Sequence, residues 1–224
     1  MTIPRILLIF LAVYFLLLVG GIWGLAGELD PLAWTTLAVY CFFHLVAGLL
    51  CAHDTDLIRE RLRPGPGAPL WDRVLMRFIL LWLLASMVVV LLDIDRFHWT
   101  AEIADAWRIV GLVGIALGMV LTSWTMRTNT FFSSVVRLQE ERGHHLIQDG
   151  PYRLVRHPGY VGIILFFAGF NLGLGCLSGI VFAAVFGILL IYRIVREERF
   201  LHEHLDGYGD YAQRIRWRLI PWIW

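Results

Sequence analysis

Long apolar segments constrain this chain more than any other feature. A helix needs about 20 apolar residues to cross the hydrocarbon of a bilayer. Six stretches approach that requirement: Ile6–Ala26, Leu32–Ala52, Val74–Leu92, Trp107–Met126, Tyr160–Cys176 and Leu177–Tyr192. The last two are shorter and meet in the uncharged GLGCLSG, Gly173 to Gly179, which predicts a tight helical hairpin within the membrane. A hydrophobic fraction of 58% and a mean hydropathy of +0.69 agree with the membrane class. The expected fold is an all-α integral membrane protein with about six transmembrane helices. The first segment has a long apolar run, and GLAGE after it is a poor cleavage site, so it is expected to be retained as a helix and not removed as a signal peptide.

Arginine placement orients the layout. The chain has 19 basic residues, all arginine, and a net charge of +1, which gives no reason to expect nucleic acid as a partner. With the N-terminus inside, 17 arginines fall on the inner side and only Arg96 and Arg108 on the outer. That bias predicts cytoplasmic termini and a cytoplasmic site. The same asymmetry suits a bacterial inner membrane.

Other residues have packing explanations. Cys41, Cys51 and Cys176 all lie in apolar segments, and ten residues on one helix separate Cys41 from Cys51 by about 15 Å, too far for a disulfide. Gly114 and Gly118 have the small-xxx-small spacing of close helix contacts. Trp217, Trp222 and Trp224, beside Arg216 and Arg218, have the composition of an interfacial anchor. His144, His145, His157, His202 and His204 lack any metal-ligand spacing, so no metal is expected.

The unusual chemistry gathers after Met126. Phe131, Phe132, Val135, Val136 and Leu138 recur at helical spacing within TNTFFSSVVRLQEERGHHLIQ, and Gly143 is a helix stop, so an amphipathic interfacial helix is expected there. GPYRLVRHPGYVG follows, Gly150 to Gly162. Pro158 biases His157 away from helical geometry and suits the first turn of the next helix, whose orphan N–H groups favour an anion. In YRIVREERFL, Tyr192 to Leu201, Arg193 and Glu197 share a helix face at the end of an apolar span. A charge there is either a surface ion pair or functional.

Taken together, GPYRLVRHPGYVG, a two-helix hairpin, REERFL and YGDYAQRIRWRLIP resemble the isoprenylcysteine carboxyl methyltransferase family and the related membrane phospholipid methyltransferases. The resemblance covers about Asn129 to Trp224. It implies a division into a four-helix membrane region, 1–127, and a methyltransferase region, 128–224. It also implies S-adenosylmethionine as cofactor, held by Gln139, His144, His145, Leu146, Ile147, Tyr152, His157, Pro158, Gly159, Tyr160 and Glu197. Arg193 is the implied substrate-side residue and, with Glu197, the implied catalytic pair. LGLGCLSG stands where the family has Asn-Pro, while NTFFS and Arg-Gly-His are similar to the bacterial branch.

The implied activity is methyl transfer to an apolar or lipid-like acceptor entering from the bilayer. A prenylcysteine carboxylate, a lipid amine and a small thiol all suit such a site. A carboxylate needs no base and Arg193 would orient it bidentately, whereas an amine or thiol would need His157 or Glu198 as base. A transporter or sensor is the non-enzymatic alternative, although the chain lacks the repeated halves expected of a transporter.

Overall fold

The computed structural model describes residues 29–51 and 54–224, and the expected span Ile6–Ala26 lies outside the described residues. Seven α-helices follow one another: α1 (Pro31–Cys51), α2 (Thr55–Leu62), α3 (Leu70–Leu92), α4 (Asp105–Thr128), α5 (Pro158–Leu174), α6 (Leu177–His204) and α7 (Tyr208–Arg214). Local chemistry sets several of their ends. Asp30 accepts the N–H groups of Leu32 and Ala33 at the start of α1, and Asp54 accepts that of Leu57 in α2, satisfying donors that have no helical partner. Pro158 occupies the first turn of α5, where its missing N–H costs nothing. Gly175, at φ +93°, ends α5 in the left-handed conformation that glycine adopts freely.

Among the described residues, four helical segments are long and apolar enough to cross a membrane: Pro31–Leu50, Leu70–Phe97, Asp105–Thr128 and Leu177–His204. The fifth expected span is the shorter α5 of 17 residues. Large side chains such as Phe78, Leu81 and Val88 on α3 and Trp107, Val113 and Val120 on α4 face outward. That is the arrangement a lipid-exposed surface requires, and the chain is an integral membrane protein.

The closest helix pair is α4 with α5, and its closeness has a steric cause. A Cβ added at Gly118 would lie 2.5 Å from the backbone N of Phe166 and 2.6 Å from the carbonyl O of Gly162. At Gly111 it would lie 2.5 Å from the backbone N of Gly173. Glycine lets the two backbones touch, as small residues do between helices in lipid. An apolar cluster of Leu37, Tyr40, Val90, Ile115, Phe170 and Leu174 fills one region beside this pair. A second, with Leu75, Ile79, Tyr160, Phe186, Leu190 and Ile194, binds α3, α5 and α6 together. Helix α6 is longer than the expected span, running 28 residues to His204 and carrying Arg193, Glu197 and Glu198 past its apolar part.

The interfacial helix expected between Thr128 and Gln148 is absent. Helix α4 stops at Thr128, and beyond it the only helical geometry before Gly150 is the single 3₁₀ turn Glu140–Arg142. Tertiary partners replace the helical ladder. Asn129 Oδ1 accepts the Phe131 N–H, Asp72 accepts the Val136 N–H, and the carbonyls of Phe131 and Ser134 accept from Gln139 and Arg193. The Ser-Ser-Val-Val run is itself weakly helical. Gly143 does act as a stop, at φ +65° after the 3₁₀ turn.

Replacing Gly118 with valine forces backbone against side chain and is expected to cost about 1–3 kcal/mol or more. Thermal unfolding in detergent should show a fall of several degrees, while Gly187→Ala, which meets nothing within 4 Å, should hold the midpoint or raise it slightly, since alanine is the better helix former.

Candidate active site

One cavity lies where the segment after α4, the loop before α5 and the polar end of α6 meet. It is lined by His144, Leu146, Ile147, Tyr152, His157, Gly159, Tyr160, Arg193 and Glu197 from the residues expected of the site. Gln139, His145 and Pro158 lie off it. The Gln139 side chain is fully buried and spent on its own neighbourhood, donating to the Phe131 carbonyl at 2.7 Å and accepting from Arg142. His145 is exposed, with its Nδ1 3.1 Å from the Gly143 carbonyl.

The walls are aromatic. Phe131 stacks on His144 with ring centroids 4.4 Å apart. The backbone N–H of Gln139 donates to His144 Nδ1 at 3.2 Å, so the ring is neutral with its proton on Nε2. Burial, followed by the charges of His145, Arg137 and Arg142, pushes the His144 pKa down from 6.5 to about 4. Tyr152 is buried; its hydroxyl accepts from Asn129 Nδ2 at 2.9 Å and its carbonyl accepts from the Tyr211 hydroxyl at 2.8 Å. Burial pushes its phenol pKa up, so it stays protonated.

Two charged groups reach the cavity from α6. Glu197 Oε2 accepts the Tyr160 hydroxyl at 2.5 Å, and its other oxygen makes no hydrogen bond to any described residue. Arg193 does not pair with Glu197. Its Nε and Nη2 donate to the two oxygens of Asp72 at 2.8 and 3.2 Å, and Nη2 also donates to the Ser134 carbonyl at 2.9 Å. Its guanidinium lies 5.7 Å from the centre of the Tyr160 ring, at cation–π range. The bidentate edge that the sequence reserves for a substrate carboxylate is therefore occupied by Asp72.

Glu198 is a structural hub. One oxygen accepts from Arg156 Nε at 2.6 Å and His157 Nε2 at 3.2 Å, and the other from Arg218 Nε at 2.6 Å. Arg156 also donates to the carbonyls of Ile215 and Arg216, while the backbone N–H groups of Arg156 and His157 donate to the carbonyls of Trp217 and Arg218. RHPGY is thereby clamped against RIRWR. Likewise, Arg137 is buried with Glu60 at 2.7 Å and reaches Glu141 at 2.5 Å. Burial raises the Glu60 pKa, but the hydrogen bonds from Arg137 and Ser133 outweigh it and hold the group below its ordinary range.

Sequence comparison connects this site to known proteins. A phospholipid methyltransferase family model matches residues 106–207, from the start of α4 to just past α6. "Protein-S-isoprenylcysteine O-methyltransferase B" of Arabidopsis thaliana is 31% identical over 137 residues, covering 59% of this chain and 70% of that protein. The chain belongs to the isoprenylcysteine O-methyltransferase family. Another member, "Probable protein-S-isoprenylcysteine O-methyltransferase" of Oryza sativa subsp. indica, is 35% identical over 119 residues, 51% of this chain. The match spans 62% of the length of that rice relative. The family protein of Schizosaccharomyces pombe is 33% identical over 104 residues, covering 45% of this chain and 44% of the yeast protein. Asp72 and Glu60 lie upstream of the family-model match yet hold Arg193 and Arg137. Nothing in their local sequence marks them beyond being acidic residues near apolar spans.

His144 yields a pH prediction. Between pH 6.5 and about 4 the unfolded chain binds a proton at His144 that the folded chain does not, so stability is fully present above 6.5 and is lost as pH falls towards 4. Between pH 7.5 and 5 the unfolding midpoint of the wild type should drop further than that of His144→Gln. A gap between the two proteins that does not change with pH would contradict this assignment.

Proposed function

We propose that the chain is an S-adenosylmethionine-dependent methyltransferase acting on the carboxylate of a prenylated cysteine. The observation that carries this reading is that nine of the residues expected of the site line one cavity in a chain of this family. The residues fit the cofactor's mixed chemistry. The free Glu197 oxygen suits an ammonium or ribose hydroxyls, and the Gly159 N–H, the donor left over in the first turn of α5 after Tyr160 N–H bonds the His157 carbonyl, suits a carboxylate. Phe131, His144, Tyr152 and Tyr160 offer aromatic faces to an adenine or a sulfonium. A Cβ at Gly159 would lie 2.7 Å from the Phe132 ring, so the loop and this wall already touch.

When bound, S-adenosylmethionine supplies an electrophilic methyl group on its sulfonium. The protein's part is then mainly positioning and exclusion of water. Tyr160 holds Glu197 in place, and the Glu198 clamp fixes the loop that carries Tyr160. Arg193 keeps Nη1 for the acceptor, because this nitrogen makes no hydrogen bond to any described residue. A carboxylate acceptor needs no deprotonation, and both candidate bases are committed elsewhere, Glu198 to two arginines and His157 Nε2 to Glu198, which favours it over an amine or thiol.

The acceptor's apolar part has a path as well. A second cavity, of about 670 Å³, is lined by residues such as Leu80, Leu84, Met87, Met119, Phe166 and Phe167, and it shares Arg61 and Ile163 with the first. An isoprenoid chain would lie there with its head at Arg193. The arginine bias supports a cytoplasmic placement of the site.

Calorimetry with S-adenosylhomocysteine and the detergent-purified protein tests the cofactor half of the proposal. Saturable one-to-one binding is expected, weakened about tenfold or more by Glu197→Ala and by Tyr152→Ala, since each substitution removes a buried polar or aromatic contact worth at least 1.4 kcal/mol. No binding by folded wild type in detergent and in lipid nanodiscs would refute it.

A further inference from the structure

Arg193 is held by a residue outside the family-model match. The matched region begins at residue 106, whereas Asp72 belongs to the first turn of α3 and is fully buried. Its two oxygens receive Arg193 Nε, Arg193 Nη2 and the Val136 N–H at 2.8, 3.2 and 2.7 Å. Arg193 is also buried, and a charge in such a place needs a partner. The same carboxylate therefore joins α3 and α6 to the irregular segment that forms the cavity's wall.

This arrangement leaves Arg193 one way to present itself. Asp72 and the Ser134 carbonyl take Nε and Nη2, and the ring of Tyr160 lies 5.7 Å from the guanidinium. Only Nη1 remains for the cavity that Arg193 lines. With its charge matched by Asp72, the guanidinium meets an acceptor through one nitrogen at a fixed position.

We propose that Asp72 is the positioning residue for Arg193, fixing Nη1 as the single donor to the acceptor's carboxylate and making α3 a functional part of the site. The proposal rests on the methyltransferase reading for its chemistry, but the hold of Asp72 on Arg193 stands on geometry alone. The physical consequence is orientational. Without Asp72 the guanidinium is free to turn and to bind a carboxylate through its bidentate edge, so binding survives while the geometry for in-line attack is lost.

Two measurements test it on the full-length protein in detergent. The first needs no activity: labelling of Arg193 by phenylglyoxal, followed by peptide mass spectrometry, in wild type and Asp72→Asn. Labelling should be about tenfold faster in the variant, because removing the bonded carboxylate frees the guanidinium. Equal rates would overturn the proposal, whether or not the protein is a methyltransferase.

The second measurement is kinetic, with rates counted per S-adenosylhomocysteine site to exclude unfolded protein. Asp72→Asn should lower kcat about tenfold or more and leave KM for S-adenosylmethionine within about twofold. Arg193→Lys should do the same, and the double variant should lose no more than either single one, because the two residues act as a unit. A kcat within about threefold of wild type, or losses that multiply in the double variant, would show that Asp72 only supports the fold.

Discussion

Three buried carboxylates, each held by arginine, set the geometry of the site. Asp72 holds Arg193, Glu60 holds Arg137, and Glu198 holds Arg156 and Arg218. Burying either charge alone costs several kcal/mol, so each carboxylate comes inside only with its partner. Every pair joins elements far apart in sequence: α3 to α6, α2 to the segment after α4, and α6 to both the RHPGY loop and the RIRWR segment. Their contribution here is placement more than net stability. The cavity walls lie where these pairs hold them.

Beneath that polar layer, the membrane-embedded helices supply a rigid base. The glycines of α4 and α5 let two backbones meet directly, which fixes the start of α5 relative to the end of α4. Tyr160, near the start of α5, then stands opposite Glu197 on α6 at hydrogen-bond distance. A close-packed helix pair in lipid and an ordered loop at the surface are thus parts of one device. Sequence patterns far from the site therefore affect its geometry.

The four apolar spans and the packing glycines were legible in the sequence because hydropathy and small-residue spacing are local signals. Much of the candidate cavity's lining was legible too, since Tyr152, His157, Gly159, Tyr160, Arg193 and Glu197 sit in two compact motifs. The segment from Asn129 to Gln139 was not. Its helical periodicity is real, but hydrogen bonds to Asp72, Arg193 and Gln139 outcompete a helix there. The partner of Arg193 was equally hidden: Glu197 is four residues away on the same helix, whereas Asp72 is 121 residues distant. Periodicity ranks neighbours along a helix and is silent on which distant charge arrives first.

The proposed methyl acceptor is a carboxylate. The most direct measurement is transfer of labelled methyl from S-adenosylmethionine to an S-farnesylated cysteine by the purified protein, followed by treatment with base. The expected product carries label that base releases as volatile methanol, the mark of a methyl ester. Label that survives base, as in a methylated amine or thioether, or no transfer by protein that binds S-adenosylhomocysteine, would contradict it.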